Sequence, residues 1–461
     1  MHNFNIEILL ITILGLVVLS DAIATKLKIP SVFLLLIGSY VVYTYFKILV
    51  PIDLKHNFDE VIIFAIPLVF MGDSLHLKFK DLKKHGWGIF YLAVISVAVS
   101  ITAGASLSFF NLFKGLSLGA YVSLFAINMA TDAVSVQSVL SRFDGINHDV
   151  KVLIEGESLG NDATAVIAFF FVGMPWMLSG HINVTTTALN SLKVFILSLL
   201  IGIIIGFAFY MLMKLFSDKR GEFFAFVIQA YLAYVVAEKL HISGILTLIT
   251  AIVASKAWIE LDFIMFKQKN RETGEEEEEN ELIEEIVEDI QKSEVKTKTK
   301  IKLRHRLRLY HIHATSPERL DYIYDMAREF GYIATVLIFF VLAEMVDFHK
   351  LWNYKFEIIA MFLITTLIRA LSTAKFAFIG HKIKAIKPVG IEGWFILTFS
   401  GMKGALSIIL VHMIPSTFEH KELFEAVTVG VVSLSIFIYG ITLWSYFTYK
   451  NLKKNKNNFA D

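Results

Sequence analysis

Residues 156–166 read GESLGNDATAV and lead directly into the apolar stretch IAFFFVGMPWM at 167–177. They place two carboxylates, Glu157 and Asp162, where almost no other side chain can carry charge. An ionisable residue inside a membrane-spanning segment is costly and by default indicates a functional site. The first question is therefore whether this segment crosses a membrane.

The composition of the chain is that of a membrane protein. Of its 461 residues, 56% are hydrophobic and only 18% are charged, which is unusual for a soluble domain. A helix that crosses the hydrocarbon needs about 20 mostly apolar residues, and the chain contains about thirteen such stretches by that criterion. Their apolar residues follow helical rather than alternating spacing, which predicts an all-α bundle and disfavours a membrane barrel.

The predicted spans run along the whole chain. They cover 6–24, 31–49, 59–74, 87–111, 117–139, 152–177, 190–214, 222–238, 242–258, 330–347, 356–376, 392–413 and 422–447. The first run lacks the basic start and the cleavage site of a signal peptide, so we expect it to remain as a span. The chain has no cysteine, which excludes disulfides, thiolate metal sites and cysteine nucleophiles.

Basic residues between the predicted spans fall mostly on one side of the membrane. That side receives Lys26, Lys28, Lys78, Lys80, Lys83, Lys84, Arg142, Lys151, Lys214, Lys219, Arg220, Lys382, Lys384, Lys387 and the tail KNLKKNKN. The positive-inside rule makes this side cytoplasmic. We therefore expect a multi-pass protein of the cell (inner) membrane, with the C-terminus inside and the N-terminus outside.

A long inside loop at 259–329 interrupts the membrane pattern. It opens acidic, with RETGEEEEENELIEEIVEDI, and turns basic, with KTKTKIKLRHRLRLYHIH. Apolar residues at helical spacing between 282 and 290 predict a surface helix, and a solvated, partly disordered loop is the alternative. His311 and His313 lack further ligands at metal spacing, so we interpret them as a surface pair.

Four polar groups in separate spans are the candidates for a functional site. They are Thr131 with Asp132, the segment Glu157 to Asp162, Arg369, and Lys403. Each alone could be a packing contact or a helix cap, but four together in one chain favour a site. Charges nearer span ends are interpreted as snorkelling or pairing side chains; these are Asp21, Asp73, Lys193 and Glu344.

Helix geometry divides the opening motif into two faces. Residues four apart lie on one side of a helix, so Glu157 shares a face with Asn161, and Ser158 shares one with Asp162. Asp162 and the Ser158 hydroxyl offer two hard oxygens, which suit a small cation. Glu157 needs a permanent cationic partner, because an unpaired buried carboxylate is costly.

Two further spans are predicted to break in mid-membrane. In the first, Asn128, Thr131 and Asp132 compete for backbone hydrogen bonds and favour local unwinding. In the second, Gly401 and Gly404 flank Lys403. Each break lies in the middle span of a three-span group, and the two groups run in opposite senses. Such an inverted repeat with paired breaks is typical of a secondary transporter site.

These residues carry a resemblance to a known family. The stretches ATDAVSV and EGESLGND, a late-span arginine, and a glycine-flanked basic residue in the next span resemble the NhaP and eukaryotic sodium/proton exchanger branch of the monovalent cation:proton antiporters. The likeness extends from residue 6 to about 447. It implies a homodimer of thirteen-helix protomers, with two discontinuous helices crossing at the ion site and core repeats that move past a scaffold.

The resemblance also implies a division of the chain into scaffold and core. The expected parts are scaffold and dimerisation helices at 1–86, core repeat 1 at 87–177, a linker helix at 178–221, scaffold helices at 222–258, the charged loop at 259–329, a scaffold helix at 330–350, core repeat 2 at 351–447 and a basic tail at 448–461.

By the same resemblance, Asp162 would be the carboxylate shared by cation and proton. Asp132, Ser158 and the Thr131 carbonyl would be further Na⁺ ligands, and Glu157 would lie near the ion, paired to a basic residue. Asn161 would mark the electroneutral branch, because relatives with aspartate there move net charge.

Two positions depart from the family pattern. Ala133 stands where the family usually has proline, and Lys403 stands where it usually has arginine between the glycines. Either Arg369 or Lys403 is the expected partner of Glu157. We favour Arg369, because a guanidinium fork suits a buried carboxylate.

The predicted function is electroneutral 1:1 exchange of Na⁺ or Li⁺ for H⁺, by a transporter rather than an enzyme and without a cofactor. Burial disfavours the charged form of Asp162 and a bound cation favours it, so proton and cation compete. K⁺ is the alternative cation, and an intramembrane aspartyl hydrolase or a cation channel are alternatives of another class. The expected partners are the transported ions, lipid and a second copy of the chain, with no nucleic acid.

Overall fold

The computed structural model describes residues 2–27, 29–46, 58–76, 79–140, 143, 146–181, 183–216, 218–273, 317–378 and 389–458. Within these ranges every regular element is a helix. The predicted all-α polytopic fold is therefore confirmed. Nine of the helices in the described ranges are long and apolar enough to cross a membrane.

Ten α-helices lie in the part of the first half that the structure describes. They are α1 His2–Leu27, α2 Ser31–Tyr45, α3 Phe58–His76, α4 Phe79–Phe90, α5 Ser96–Ser106, α6 Leu118–Ile127, α7 Ala133–Leu140, α8 His148–Ala168, α9 Met174–Ser179 and α10 Val184–Met213. Short π-helical segments, Tyr91–Ile95 and Phe169–Gly173, join α4 to α5 and α8 to α9 without a break. Each pair therefore acts as one long helix.

The described residues of the second half form eight α-helices. They are α11 Lys219–Lys239, α12 Gly244–Thr273, α13 Pro317–Met345, α14 Phe348–Asn353, α15 Lys355–Phe378, α16 Gly390–Phe399, α17 Ala405–His412 and α18 Lys421–Asn458. Every predicted span overlaps one of these helices or a joined pair. The predicted spans that do not match one of the nine crossing-length helices contain shorter apolar helical stretches. These are Ser31–Tyr45, Ile63–Leu75, Leu118–Ile127 and Gly390–Phe399.

Two spans are interrupted, as the sequence predicts. Helix α6 ends at Ile127, where the Asn128 amide donates to the carbonyl of Leu124 at 2.9 Å, and α7 starts only at Ala133. Helix α16 ends at Phe399, and α17 starts at Ala405. Backbone without helical hydrogen bonds is tolerated at membrane depth only where protein or water satisfies it, so both interruptions must find partners.

Ion pairs link the ends of helices that the topology places on the same side. Lys84 in the second turn of α4 lies 2.8 Å from Asp149 in the first turn of α8. Lys450 near the end of α18 pairs with Glu392 at the start of α16. Both links join connections predicted to be cytoplasmic, which agrees with the alternation of the spans.

The predicted loop at 259–329 contains more residues than the segment between the end of α12 and the start of α13. Helix α12 continues to Thr273, and α13 already begins at Pro317. Similarly, α18 continues to Asn458, through most of the predicted tail. Hydropathy marks where the hydrocarbon ends, and a helix can continue from there into water. The predicted helix at 282–290 and the histidines His311 and His313 lie outside the described residues.

Candidate ion site

The two interruptions meet in the middle of the bundle. The backbone amide of Asp132 donates to the carbonyl of Met402 at 2.8 Å. Beside this contact, the Ser407 hydroxyl donates to the carbonyl of Ile127 at 2.8 Å. Gly404 lies so close to Asp132 that a Cβ atom on the glycine would collide with the aspartate side chain. The glycine therefore allows the two unwound segments to approach each other.

Helix α8 supplies the third side of the site. The Ser158 hydroxyl donates to the carbonyl of Thr131 at 2.8 Å, and the Asn161 amide donates to the Thr131 hydroxyl at 2.8 Å. Both α8 side chains therefore bond the first interruption at the same residue. The serine oxygen and the threonine carbonyl oxygen, predicted as cation ligands, lie next to each other.

Asp162 lies on the same face of α8 as Ser158 and is only 6% exposed. Its Oδ1 atom accepts no hydrogen bond from any described residue. Asp132 is oriented differently, because its Oδ2 accepts a hydrogen bond from the Ser135 hydroxyl. A buried acceptor without a donor is the environment in which a carboxylate binds a cation or a proton.

A small cavity connects these groups. It has a volume of about 20 Å³, and Thr131, Asp132, Asp162 and Gly404 are among the residues that line it. A cavity needs roughly 10–15 Å³ on this measure to hold one water. The space therefore fits a single small ion or one water molecule.

Asp73 also lines this cavity, which the sequence analysis did not predict. It lies near the end of α3, and its position there suggested a snorkelling side chain. A signal was nevertheless present in the sequence: Asp73 follows Ile66, Val69 and Phe70 at helical spacing, and these three also line the cavity. A carboxylate that continues an inward apolar face points into the protein rather than to the membrane surface.

Glu157 faces away from the cavity and contacts Arg369 of α15. Two guanidinium nitrogens donate to the two carboxylate oxygens, the second at 3.0 Å. The glutamate side chain is 4% exposed and the arginine side chain 13%. A bidentate pair of this kind combines two charge-assisted hydrogen bonds, which are stronger than hydrogen bonds between neutral groups.

Arg369 also satisfies the second interruption. Its guanidinium donates to the carbonyl of Leu397 at 2.8 Å and to that of Thr398 at 3.0 Å. These carbonyls belong to the last turn of α16, which has no intrahelical donors for them. One side chain thus neutralises Glu157 and caps the helix that ends at the site.

Lys403 lies within the second interruption and is 4% exposed. Its backbone amide donates to the Ser435 hydroxyl at 2.9 Å. Its ammonium forms no ion pair with any residue that the structure describes, whereas Arg369 contacts Glu157 directly. Lys403 is therefore a second buried cation beside the pair and not a member of it.

The donor set consists of carboxylate, hydroxyl and carbonyl oxygens, the ligands that hard cations prefer. Among the described residues, no three His, Cys, Asp or Glu side chains come together as a metal-binding cluster. Fold and site together indicate the class of protein: a polytopic membrane protein with an oxygen-lined cavity where two broken helices meet, the arrangement typical of secondary transporters.

Comparison with known proteins gives the family. The family described as "Sodium/hydrogen exchanger, transmembrane" matches residues 9–260, which is more than half of the chain. The chain belongs to this family, and the resemblance noted in the sequence is confirmed.

Individual relatives agree with this assignment. The Na⁺/H⁺ antiporter ApNhaP of Aphanothece halophytica is 32% identical over 254 residues, which cover 53% of this chain and 46% of that protein. The Na⁺/H⁺ antiporter NhaH of Halobacillus aidingensis is 25% identical over 96% of this chain and 98% of its own length. The sodium proton antiporter MjNhaP1 of Methanocaldococcus jannaschii, solved at pH 8, shares the fold, with a TM-score of 0.69, 15% identity and 96% coverage of both chains.

The buried pair generates a first prediction. Glu157→Gln or Arg369→Gln alone is expected to destabilise the fold by roughly 3–5 kcal/mol, because each leaves an unpaired buried charge. The double variant is expected to unfold at a higher temperature than either single variant. Thermal unfolding of detergent-purified protein measures this.

The exposed pair of Lys450 and Glu392 is the matched control. Its single and double glutamine variants are expected to change stability by less than about 1 kcal/mol. A Glu157 and Arg369 double variant no more stable than the single variants would argue against a permanent pair and shift attention to Lys403.

Proposed function

We propose that the chain exchanges Na⁺ or Li⁺ for H⁺ across the cell membrane and that Asp162 binds both ions in turn. The observation that carries the proposal is the buried Asp162 Oδ1, which lacks a donor among the described residues and faces a cavity the size of one ion. The relatives named as Na⁺/H⁺ antiporters support this choice of ions.

Competition at one carboxylate is the proposed mechanism. Burial disfavours the charged form of Asp162, and a cation held beside Ser158 and the Thr131 carbonyl favours it. Protonation and cation binding are therefore alternative ways of neutralising the same site. Exchange is coupled if the site changes its exposure only when neutral, because an empty charged site is costly to move through an apolar barrier.

Asp132 and Asp73 supply further negative charge to the site. Asp132 belongs to the first interruption, whereas Asp73 comes from α3, which packs mainly against α13 and α12. We propose that both help to bind the cation, directly or through water. Asp73 then lies on the scaffold, and the other ligands lie on the core repeats that move past it.

The cavities support a state open to one side. A cavity of about 650 Å³ reaches the ion cavity and shares Val69 and Asp73 with it. A second cavity, of about 330 Å³, also adjoins the ion cavity, and the residues that line both are the aliphatic Ile66, Leu406 and Ile409. We propose that the larger cavity is the cytoplasmic access route and that these three aliphatic side chains form the closed barrier to the outside.

The pairing of Glu157 supports electroneutral exchange. If Arg369 keeps Glu157 charged, and Asp73 and Asp132 keep a constant charge through the cycle, Asp162 is the one group that changes protonation, and one cation replaces one proton per cycle. Asn161 cannot titrate, and its amide is already engaged by Thr131. We propose 1:1 exchange for these reasons, in a homodimer and without a cofactor.

The alternative functions receive less support. K⁺ would use the same oxygen ligands as Na⁺, and a panel of cations at several pH values distinguishes the two. An intramembrane hydrolase would need room for a scissile bond between two carboxylates, but the cavity that Asp132 and Asp162 line has a volume of only about 20 Å³. A channel would need a continuous path, and the aliphatic barrier closes one side of the site.

Substitution of the aspartates tests the site. Asp162→Asn is expected to abolish exchange, because an amide neither titrates nor supplies a full charge, and Asp162→Glu should retain a remnant. Asp73→Asn is expected to raise the KM for Na⁺ about tenfold while exchange continues, a loss of about 1.4 kcal/mol in cation binding. Dye-reported proton flux in everted vesicles measures both.

Asp21 provides the control, since it lines the large cavity but not the ion cavity. Asp21→Asn should leave the KM within about twofold of the wild-type value. Full activity of Asp162→Asn would rule out the shared-carboxylate mechanism.

Membrane voltage tests the stoichiometry. Electroneutral exchange in reconstituted liposomes is expected to run at the same rate when valinomycin and a potassium gradient clamp the potential at different values. A voltage-dependent Na⁺-driven proton flux would show that a second group titrates. Asp73 and Asp132 would then be the first residues to substitute, and Glu157 would not be a fixed partner.

The absence of native cysteine allows the access routes to be tested directly. Ser138→Cys, in the large cavity, is expected to react with an impermeant thiol reagent from the cytoplasmic side. Met413→Cys, in the smaller cavity, should react from the outside. Ser123→Cys is the unreactive control, because Ser123 is fully buried. Reaction of both cavity cysteines from the same side would contradict the proposed barrier.

A further inference from the structure

A buried lysine outside the ion site lacks an explanation in the transport mechanism. Lys256 lies in the middle of α12, and its side chain is only 8% exposed. Burying an ammonium group in an apolar bundle is costly unless it is paired and hydrogen-bonded. Such a residue is too little exposed to place its charge in solvent, so its contacts must explain it.

The main contact of Lys256 is with the end of another helix. Its ammonium donates to the backbone carbonyl of Leu75, one residue before the last residue of α3. The last four carbonyls of a helix have no intrahelical donors and carry the negative end of the helix dipole. A buried cation at this point therefore donates to a carbonyl near the negative end of the α3 dipole.

The second contact of Lys256 is weaker. The carboxylate of Glu260, one turn further along α12, lies 3.9 Å from the ammonium. This distance is too long for a hydrogen bond, so Glu260 offsets the charge without replacing the carbonyl. The side chain of Lys256 therefore links α12, to which the residue belongs, to α3 by a hydrogen bond.

The end of α3 that Lys256 contacts also carries Asp73. Asp73 precedes Leu75 by two residues and lines the ion cavity. One residue before Asp73, Gly72 allows α3 to approach the backbone of α13, since a Cβ on it would lie 3.2 Å from the carbonyl oxygen of Ala327. The C-terminal end of α3 is therefore in contact with two neighbouring helices, α13 through its backbone and α12 through Lys256.

We propose that Lys256 is a positioning residue for cation binding: it fixes the last turn of α3 and thereby sets the place of the Asp73 carboxylate in the ion cavity. The inference rests on the proposed function, since it concerns the affinity for the transported cation. Loss of Lys256 should weaken Na⁺ binding through Asp73 and leave the exchange cycle intact.

The test uses the full-length protein in proteoliposomes. Sodium-driven proton flux gives the KM for Na⁺ and the maximal rate for the wild type, Lys256→Met and Lys256→Arg. Lys256→Met is expected to raise the KM about tenfold, with a maximal rate within about twofold of wild type. Lys256→Arg, which keeps a charged donor, should restore most of the affinity.

A double-mutant cycle separates positioning from general destabilisation. If Lys256 acts through Asp73, adding Lys256→Met to Asp73→Asn should raise the KM no further. Lys214→Met is the matched control, because Lys214 also forms an ion pair with α12, at 3.1 Å from Asp262, without contacting α3. That variant should have the wild-type KM even if its unfolding temperature falls.

The possible outcomes are distinct. A wild-type KM for Lys256→Met, or an equal increase in KM with and without Asp73, would overturn the positioning role. If Lys256→Met does not fold, Lys256→Gln takes its place in the same cycle with the same expected rise in KM, because its shorter, uncharged side chain withdraws the ammonium from the Leu75 carbonyl. A wild-type protein without any sodium-driven flux would instead refute the proposed function.

Discussion

The hydrogen bond from the Asp132 amide to the Met402 carbonyl joins the two places where the helical backbone is interrupted. Unwound backbone inside a membrane is stable only when protein groups satisfy it. In this protein the first interruption provides a backbone N–H donor for a carbonyl of the second, and Gly404 allows the two segments to approach closely. The ion site exists because the two interruptions stabilise each other in one place.

The charges around this junction follow from the same constraint. Arg369 satisfies the carbonyls at the end of α16 and neutralises Glu157, so the carboxylate nearest the second interruption is committed to structure. Asp162 has no such partner among the described residues on its Oδ1 side. The polar groups at the junction thus include one buried ion pair and one buried carboxylate oxygen without a donor among the described residues.

Much of this arrangement is predictable from the sequence, because helical periodicity and weak helix formers are local properties. Asn128, Thr131 and Asp132 indicate one interruption, and the glycines around Lys403 indicate the other. The partner of Glu157 is not local information: Arg369 and Lys403 are both buried cations, and only the packing of α15 against α8 and α16 distinguishes them.

Asp73 and Lys256 show the same limit more clearly. Asp73 is near the end of its span in sequence, yet the packing of α3 brings it to Asp132 and Asp162. Lys256 contacts a carbonyl 181 positions away in the chain. Hydropathy likewise locates the hydrocarbon boundary but not the ends of α12 and α13, which continue into the predicted loop.

The central claim is that Na⁺ and H⁺ compete for Asp162, and proton release on binding tests it most directly. Purified protein in weakly buffered detergent solution, at a pH where the site is protonated, is titrated with Na⁺ while the solution pH is recorded. The account predicts release of about one proton per bound Na⁺ and no release from Asp162→Asn. Sodium binding without proton release, or the same release from Asp162→Asn, would contradict it.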